Sequence, residues 1–279
     1  MNRRALTFDC QGDRLVGVLH EAAMPGPRVA LIVVGGPQYR VGSHRQFLSI
    51  ASALAGVNIA TLRFDYRGMG DSEGDARTFE QVDDDIRCAI DTLFDACPGA
   101  REVTLIGLCD AASACLMYAP SDQRVGSLVL MNPWVHTPAG AARAAVRHYY
   151  LRRLFDRAFW RKLIGGGVNL RKSIGGFRHT LRRARGAAGD ASGTSSRPFV
   201  ERMLDGARRF HGPSLVLTSG EDMTAAQFLD LTRSDAGWGA YMQAPQTTVH
   251  HLNAANHTFA RCSWRKDVNT HMVDWISAL

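Results

Sequence analysis

The chain has 279 residues, 46% of them apolar, which is enough to bury one large core, so one catalytic domain carrying an insertion is expected rather than two independent domains. No apolar run reaches the length of about eighteen residues that a membrane span needs, and Met1-Asn2-Arg3-Arg4 does not open a signal peptide, so a cytoplasmic protein is expected. Six cysteines without a CxxC pair fit reduced thiols better than a disulfide frame or a zinc site, and the net charge of +7 is local: residues 140–212 hold 17 Lys/Arg against 4 Asp/Glu, the remainder 16 against 22.

In chain order, RLVGVLHEA alternates as a half-buried strand, and RVALIVVGG is a β-branched run suited to a strand covered on both faces. Ser43-His44-Arg45-Gln46 has the spacing of a capping box, and Phe47, Ile50, Ala51 and Leu54 follow at helical spacing. NIATLRFDYRG predicts a strand leading into the Gly-rich loop from Gly68 to Gly74. Thr78 and Gln81 offer a second capping box, with Phe79, Val82, Ile86, Ile90 and Leu93 on one face of a helix stopped by Pro98-Gly99. EVTLIG then runs as a short strand directly into Cys109 and the helix AASACLMYA, and VGSLVLMNP and SLVLTSGED predict two further strands. Strand and helix alternating in this way imply an α/β fold with a mostly parallel sheet flanked by helices. The core is expected over 1–134 and 213–279, with 135–212 as a helical, basic cap or lid. Its first part, AARAAVRHYYLRRLFDRAFWRKLIGG, reads as an amphipathic helix, and GAAGDASGTSS reads as a linker-like stretch.

Gly107-Leu108-Cys109-Asp110-Ala111 joins a strand to a helix with small residues two positions before and after the cysteine, the pattern of a nucleophile elbow. Read by itself, the same string also suits a small buried cysteine at a strand end. At a helix start the dipole favours the anionic form of Cys109, while the adjacent Asp110 carboxylate opposes it. The remaining members of a triad follow in the order nucleophile, acid, base. Asp222 stands after the strand SLVLTSG, with Glu221 in reserve, and His257 stands in a polar loop before the last helix. His250 and His251 belong to the strand TTVHHL. Two backbone donors are needed for an oxyanion: Asp110 N–H is one, and because Pro37 has no N–H the other is Gln38, which is favoured, or Gly36. Asp65 and Arg67 in FDYRGMGDSEG read as organisers of their loop. No metal or organic cofactor is called for.

Taken together, the GGP turn, FDYRGMGDSEG, the GLCDAAS elbow, SGEDMTA and ANHTF resemble the α/β-hydrolase superfamily over roughly residues 10–275. More narrowly, GLCDAAS, VVGGPQYRVGSHRQF and LMNPWV look like the exosortase A system-associated hydrolase 1 family. That resemblance implies a Cys-Asp pair at the elbow, with nucleophile, acid and base carried onto Cys109, Asp222 and His257, and a link to exopolysaccharide and exosortase systems. The cysteine, Ala111, and Gly35 where a histidine often stands depart from the wider superfamily.

The activity expected is cleavage of an ester, thioester or lactone in a small acyl substrate through an acyl-thioenzyme. The alternatives are an acyltransferase sharing that intermediate and a non-catalytic binding protein. For the Arg-rich interval four readings compete: a solvated face, a funnel for an anionic substrate, contact with an anionic membrane surface at the inner face of the membrane, and a nucleic-acid patch. Nucleic acid is not expected, because no recognition module accompanies the charge.

Overall fold

A computed structural model describes residues 2–36, 38–136 and 197–279. The chain divides into two compact units, residues 1–135 with 199–279, and residues 136–198. The basic amphipathic helix and the Gly/Ser-rich linker read from sequence lie outside the described residues.

The first unit is built on one eight-stranded sheet: β1 (Arg3–Cys10), β2 (Asp13–His20), β3 (Arg28–Val33), β4 (Thr61–Asp65), β5 (Glu102–Leu108), β6 (Val125–Met131), β7 (Ser214–Glu221) and β8 (Thr247–Asn256). Their order is β1-β2-β4-β3-β5-β6-β7-β8; β2 is antiparallel to both β1 and β4, and every later pairing is parallel. β3 and β4 are buried along almost their whole length, β3 as its apolar run requires and β4 although TLRFD carries Arg63 and Asp65. The helices among the described residues are α1 (Gln46–Gly56), α2 (Asp83–Ala96), α3 (Asp110–Tyr118), α4 (Phe199–Arg209), α5 (Met223–Ser234), α6 (Ala236–Gln243) and α7 (Cys262–Ser277). They bury two apolar layers. One contains Ile86, Ile90 and Leu93 of α2 with Leu116 of α3 and Met203 of α4; the other contains Phe47, Ile50 and Leu54 of α1 with Val268, Met272 and Ile276 of α7. Among the described residues no helix is long and apolar enough to cross a membrane.

Several local expectations change. Ser43 does not cap a helix. Gly42, His44 and Arg45 all have positive φ, which leaves Ser43–Arg45 as a separate 3₁₀ turn and starts α1 at Gln46. The Thr78–Gln81 box forms, yet it closes a 3₁₀ turn at Phe79–Gln81, and α2 begins only at Asp83. Phe79 therefore leaves the α2 stripe and packs edge-on against Trp134 and Phe199. Residues 199–209, read as the end of the cap, form α4 against α3. Gly206 is needed there, since a Cβ would lie 2.2 Å from the Leu116 carbonyl oxygen.

The FDYRG loop is organised by two buried carboxylates. Asp65 accepts the backbone N–H groups of Arg40 (2.7 Å) and Asp71 (3.1 Å) and pairs with the Arg40 guanidinium. Asp85 of α2 grips Arg67 through its backbone N–H (2.8 Å), Nε (3.0 Å) and Nη2 (2.9 Å), and both side chains are out of water. Removing one partner of such a pair strands the other charge in the core. Asp85→Ala is therefore expected to lower unfolding free energy by about 3 kcal/mol, read from urea denaturation at constant m.

Candidate active site

The sheet brings its functional candidates to the carboxyl ends of β3, β5, β7 and β8. β5 ends at Leu108, and Cys109 takes φ 62° and ψ −124° before α3 begins at Asp110. That left-handed conformation is uncommon for a residue with a Cβ and lifts the side chain off the sheet at the turn. Its N–H is held by the Met131 carbonyl at 2.9 Å, and its own carbonyl accepts from Trp134 N–H at 3.2 Å. The small residue at 107 is obligatory, because a Cβ there would meet Ala111 backbone atoms at 2.6 Å. Ala111 itself fits, fully buried, where a glycine often stands.

Asp222 is the N-cap of α5. Its carboxylate accepts Thr224 N–H (3.1 Å) and Ala225 N–H (3.2 Å), which satisfies two orphan donors and fixes the side chain. The same carboxylate takes His257 Nδ1 at 2.7 Å. Glu221, the reserve acid, is exposed at the end of β7. β8 runs farther than the sequence suggests, through Asn256, so His257 is the first residue beyond the strand rather than part of a free loop. The Cys109 side chain also stands beside His257. Asp222 first and Cys109 second push the His257 pKa up to about 10 against the lowering effect of burial. Cys109, His257 and Asp222 are thus brought together in the order expected. His250 and His251 stay on β8, His250 stacked on His271 and His251 bonded to Thr218 at 2.9 Å.

The candidate oxyanion residues separate. Gly36 N–H donates to Asp110 Oδ2 at 2.9 Å and is engaged there, while Asp110 Oδ1 accepts Ala111 N–H at 3.0 Å. Gln38 lies on the same loop, its Oε1 accepting Ser43 N–H at 3.2 Å. Asp110 N–H is the first of α3, so it has no partner within that helix. Burial raises the Asp110 carboxyl above its ordinary range, opposed by the N–H bonds from Gly36 and Ala111 and by the nearby His257. Gly35 explains itself in the same geometry: a Cβ there would fall 2.1 Å from Asp110 Oδ1. The carboxylate after the cysteine and the glycine in place of a histidine are one steric solution.

Asn132 was not singled out from sequence. Buried at φ 44° just after β6, it donates Nδ2 to Ser219 Oγ and to the His257 carbonyl, both at 2.9 Å, and accepts Ser219 N–H at 2.8 Å. It ties the ends of β6 and β7 to the backbone that carries His257. The asparagine in LMNPWV was the available signal, but nothing local says which distant atoms its amide will meet. Among the described residues no group of three or more His, Cys, Asp or Glu side chains could hold a metal ion.

Comparison with known proteins gives the same architecture. The esterase Pf2001 of Pyrococcus furiosus superposes with a TM-score of 0.67 at 11% identity, covering 99% of this chain and 90% of that one. The α/β-hydrolase GrgF from Penicillium sp. sh18 gives 0.63 at 18% identity over 99% and 97% of the two chains. Est1E from Butyrivibrio proteoclasticus, solved with ferulic acid bound, gives 0.62 at 14% identity over 98% of each. No curated protein matches the sequence. The model of the alpha/beta hydrolase family matches residues 30–273, nearly the whole chain, and with the sheet order and the elbow this places the protein: the chain belongs to the α/β-hydrolase family.

Proposed function

We propose that the protein is an acyl hydrolase with Cys109 as nucleophile, acting on an ester, thioester or lactone. The observation that carries this reading is the position of His257, bonded to Asp222 at 2.7 Å and close enough to the Cys109 side chain for the two to influence each other's proton. Asp222 holds Nδ1 and favours the imidazolium, so the proton shared with sulfur rests on His257 while sulfur attacks the carbonyl carbon. A C–S bond forms and the carbonyl electrons pass to oxygen, received by the N–H groups of Asp110 and Gln38. On collapse the C–O or C–S bond to the leaving group breaks, and His257 returns the proton to that group. Water, deprotonated by His257, then attacks the acyl-thioenzyme; the carboxylic acid leaves and sulfur recovers its proton.

Intact-mass spectrometry after mixing with p-nitrophenyl esters and short acyl thioesters tests the reading. An acyl adduct that maps to Cys109 and disappears with time supports it, and full turnover without such an adduct overturns it.

The interlock of Gly35 with Asp110 gives a second expectation. Gly35→Ala forces the Asp110 carboxylate away and shifts the loop carrying Gln38, so kcat/KM for p-nitrophenyl acetate should fall about 10- to 100-fold. Gly35→Ala combined with Asp110→Ala, which removes the closest clash and leaves the approach to Ala111 N at 2.8 Å, should recover part of that loss in the same assay.

The strings GLCDAAS, VVGGPQYRVGSHRQF and LMNPWV support a link to exopolysaccharide or exosortase systems. The charge of residues 140–212 supports an anionic acyl substrate or work at an anionic membrane surface.

A further inference from the structure

Away from Cys109, His257 and Asp222, a cleft of about 350 Å³ runs between α1 and α7. Its lining is Arg3, His44, Arg45, Arg265 and Lys266, then Ser49, Ser52 and Asn269, with Leu48 and Cys262 completing it. No carboxylate and no Phe, Tyr or Trp ring lines it. We propose that this cleft is a second binding site, for a phosphorylated sugar or polyol.

Four features carry the proposal. Arg3, Arg45 and Lys266 make no ion pair among the described residues, so their charges are not spent on carboxylates there. Arg265 is prepositioned, with Nη1 donating to the Phe259 and Ala260 carbonyls, and its remaining N–H groups keep the planar fork that suits phosphate oxygens. The floor is fixed by the bond from Asn269 Nδ2 to Ser49 Oγ at 2.8 Å, which ties α7 to α1. The rim is strained in the same place: His44 and Arg45 are successive non-glycine residues with φ 53° and 61°, and they bring their side chains to the cleft at the start of α1.

Around the cleft, neither α1 nor α7 has an acidic residue in its first turn or a side-chain cap, so the helix starts add to the positive field instead of neutralising it. The field reaches the buried His20, which Ser52 Oγ approaches at 3.5 Å. Desolvation, then Arg63 and Arg3, push its pKa down to about 4. The hydroxyl and amide groups match sugar hydroxyls. With no Phe, Tyr or Trp platform to stack on a base, the lining favours a sugar phosphate over a nucleotide or single-stranded nucleic acid. The volume falls within the range of small-molecule sites.

Cys262 provides a built-in reporter, being exposed and on the lining. The test is iodoacetamide alkylation of the full-length protein, resolved by peptide mass spectrometry, with fructose bisphosphate, fructose, sulfate at matched ionic strength, and phosphatidylglycerol vesicles as separate arms. Fructose bisphosphate at about 1 mM is expected to slow alkylation of Cys262 about tenfold, while fructose and sulfate leave it unchanged. Arg3→Ala with Lys266→Ala should abolish the protection while turnover of p-nitrophenyl acetate stays at the parent rate. Lys266→Gln alone is the second variant, should the double one fold poorly, and should weaken the protection. Protection equalled by sulfate would reduce the cleft to unspecific charge and overturn the proposal. Protection by vesicles alone, or none from any arm, would overturn it too.

Discussion

Cys109→Ala is expected to lower turnover of p-nitrophenyl acetate by about 10⁴-fold and to eliminate the acyl adduct, with the unfolding midpoint in urea nearly unchanged. The size follows from what is removed. Without sulfur no covalent intermediate forms, and the residual rate is that of water aided by the oxyanion donors and binding alone. The small structural effect follows from the elbow. Residue 109 is held by backbone bonds to Met131 and Trp134, and alanine bears the same left-handed strain as cysteine because both carry a Cβ. The comparison with Asp85→Ala is instructive, because that substitution should lower stability while leaving the residual protein chemically competent. Substantial hydrolysis in Cys109→Ala would move the nucleophile elsewhere.

The elbow was legible because its requirements are local. A buried strand, a small residue at 107, a small residue at 111 and a helix after 110 are all written within a dozen positions, and the structure has them where the pattern puts them. Asp222 is read from its place after the strand SLVLTSG, and the structure adds that it caps α5 and is oriented by its cap bonds. What the sequence misplaced depends on contacts between distant segments. The capping box at Ser43 is good local chemistry, yet His44 and Arg45 take left-handed backbone there and α1 starts later. Gln38 is favoured over Gly36 as the second donor, although spacing alone gives no local reason for the preference. The choice depends on where Asp110, 74 residues away, sends its carboxylate. Asn132 likewise acquires its role only when β6, β7 and the His257 backbone meet.

Asp222→Asn should be nearly as damaging to turnover as loss of the nucleophile, by about 10³- to 10⁴-fold in kcat, and its pH signature separates an orienting acid from a merely structural cap. The parent His257 is held at about 10, chiefly by the Asp222 bond and next by Cys109. A group whose folded pKa lies above its ordinary value of 6.5 adds stability that is complete below about pH 6.5 and is lost as pH rises through the folded value. The stability gap between parent and Asp222→Asn, measured by urea denaturation, should therefore be widest at or below pH 6.5 and close toward pH 10. The same shift appears in kinetics. Imidazolium must be present to protonate an alkyl alcohol or thiol leaving group, so with such a substrate the alkaline limb of kcat/KM should lie near pH 10 in the parent and move down toward neutrality in the variant. If Asp222 only capped α5, through Thr224 and Ala225, stability would fall in Asp222→Asn without any movement of that limb. An unchanged alkaline limb would thus remove Asp222 from the relay and leave His257 and Cys109 to act as a dyad.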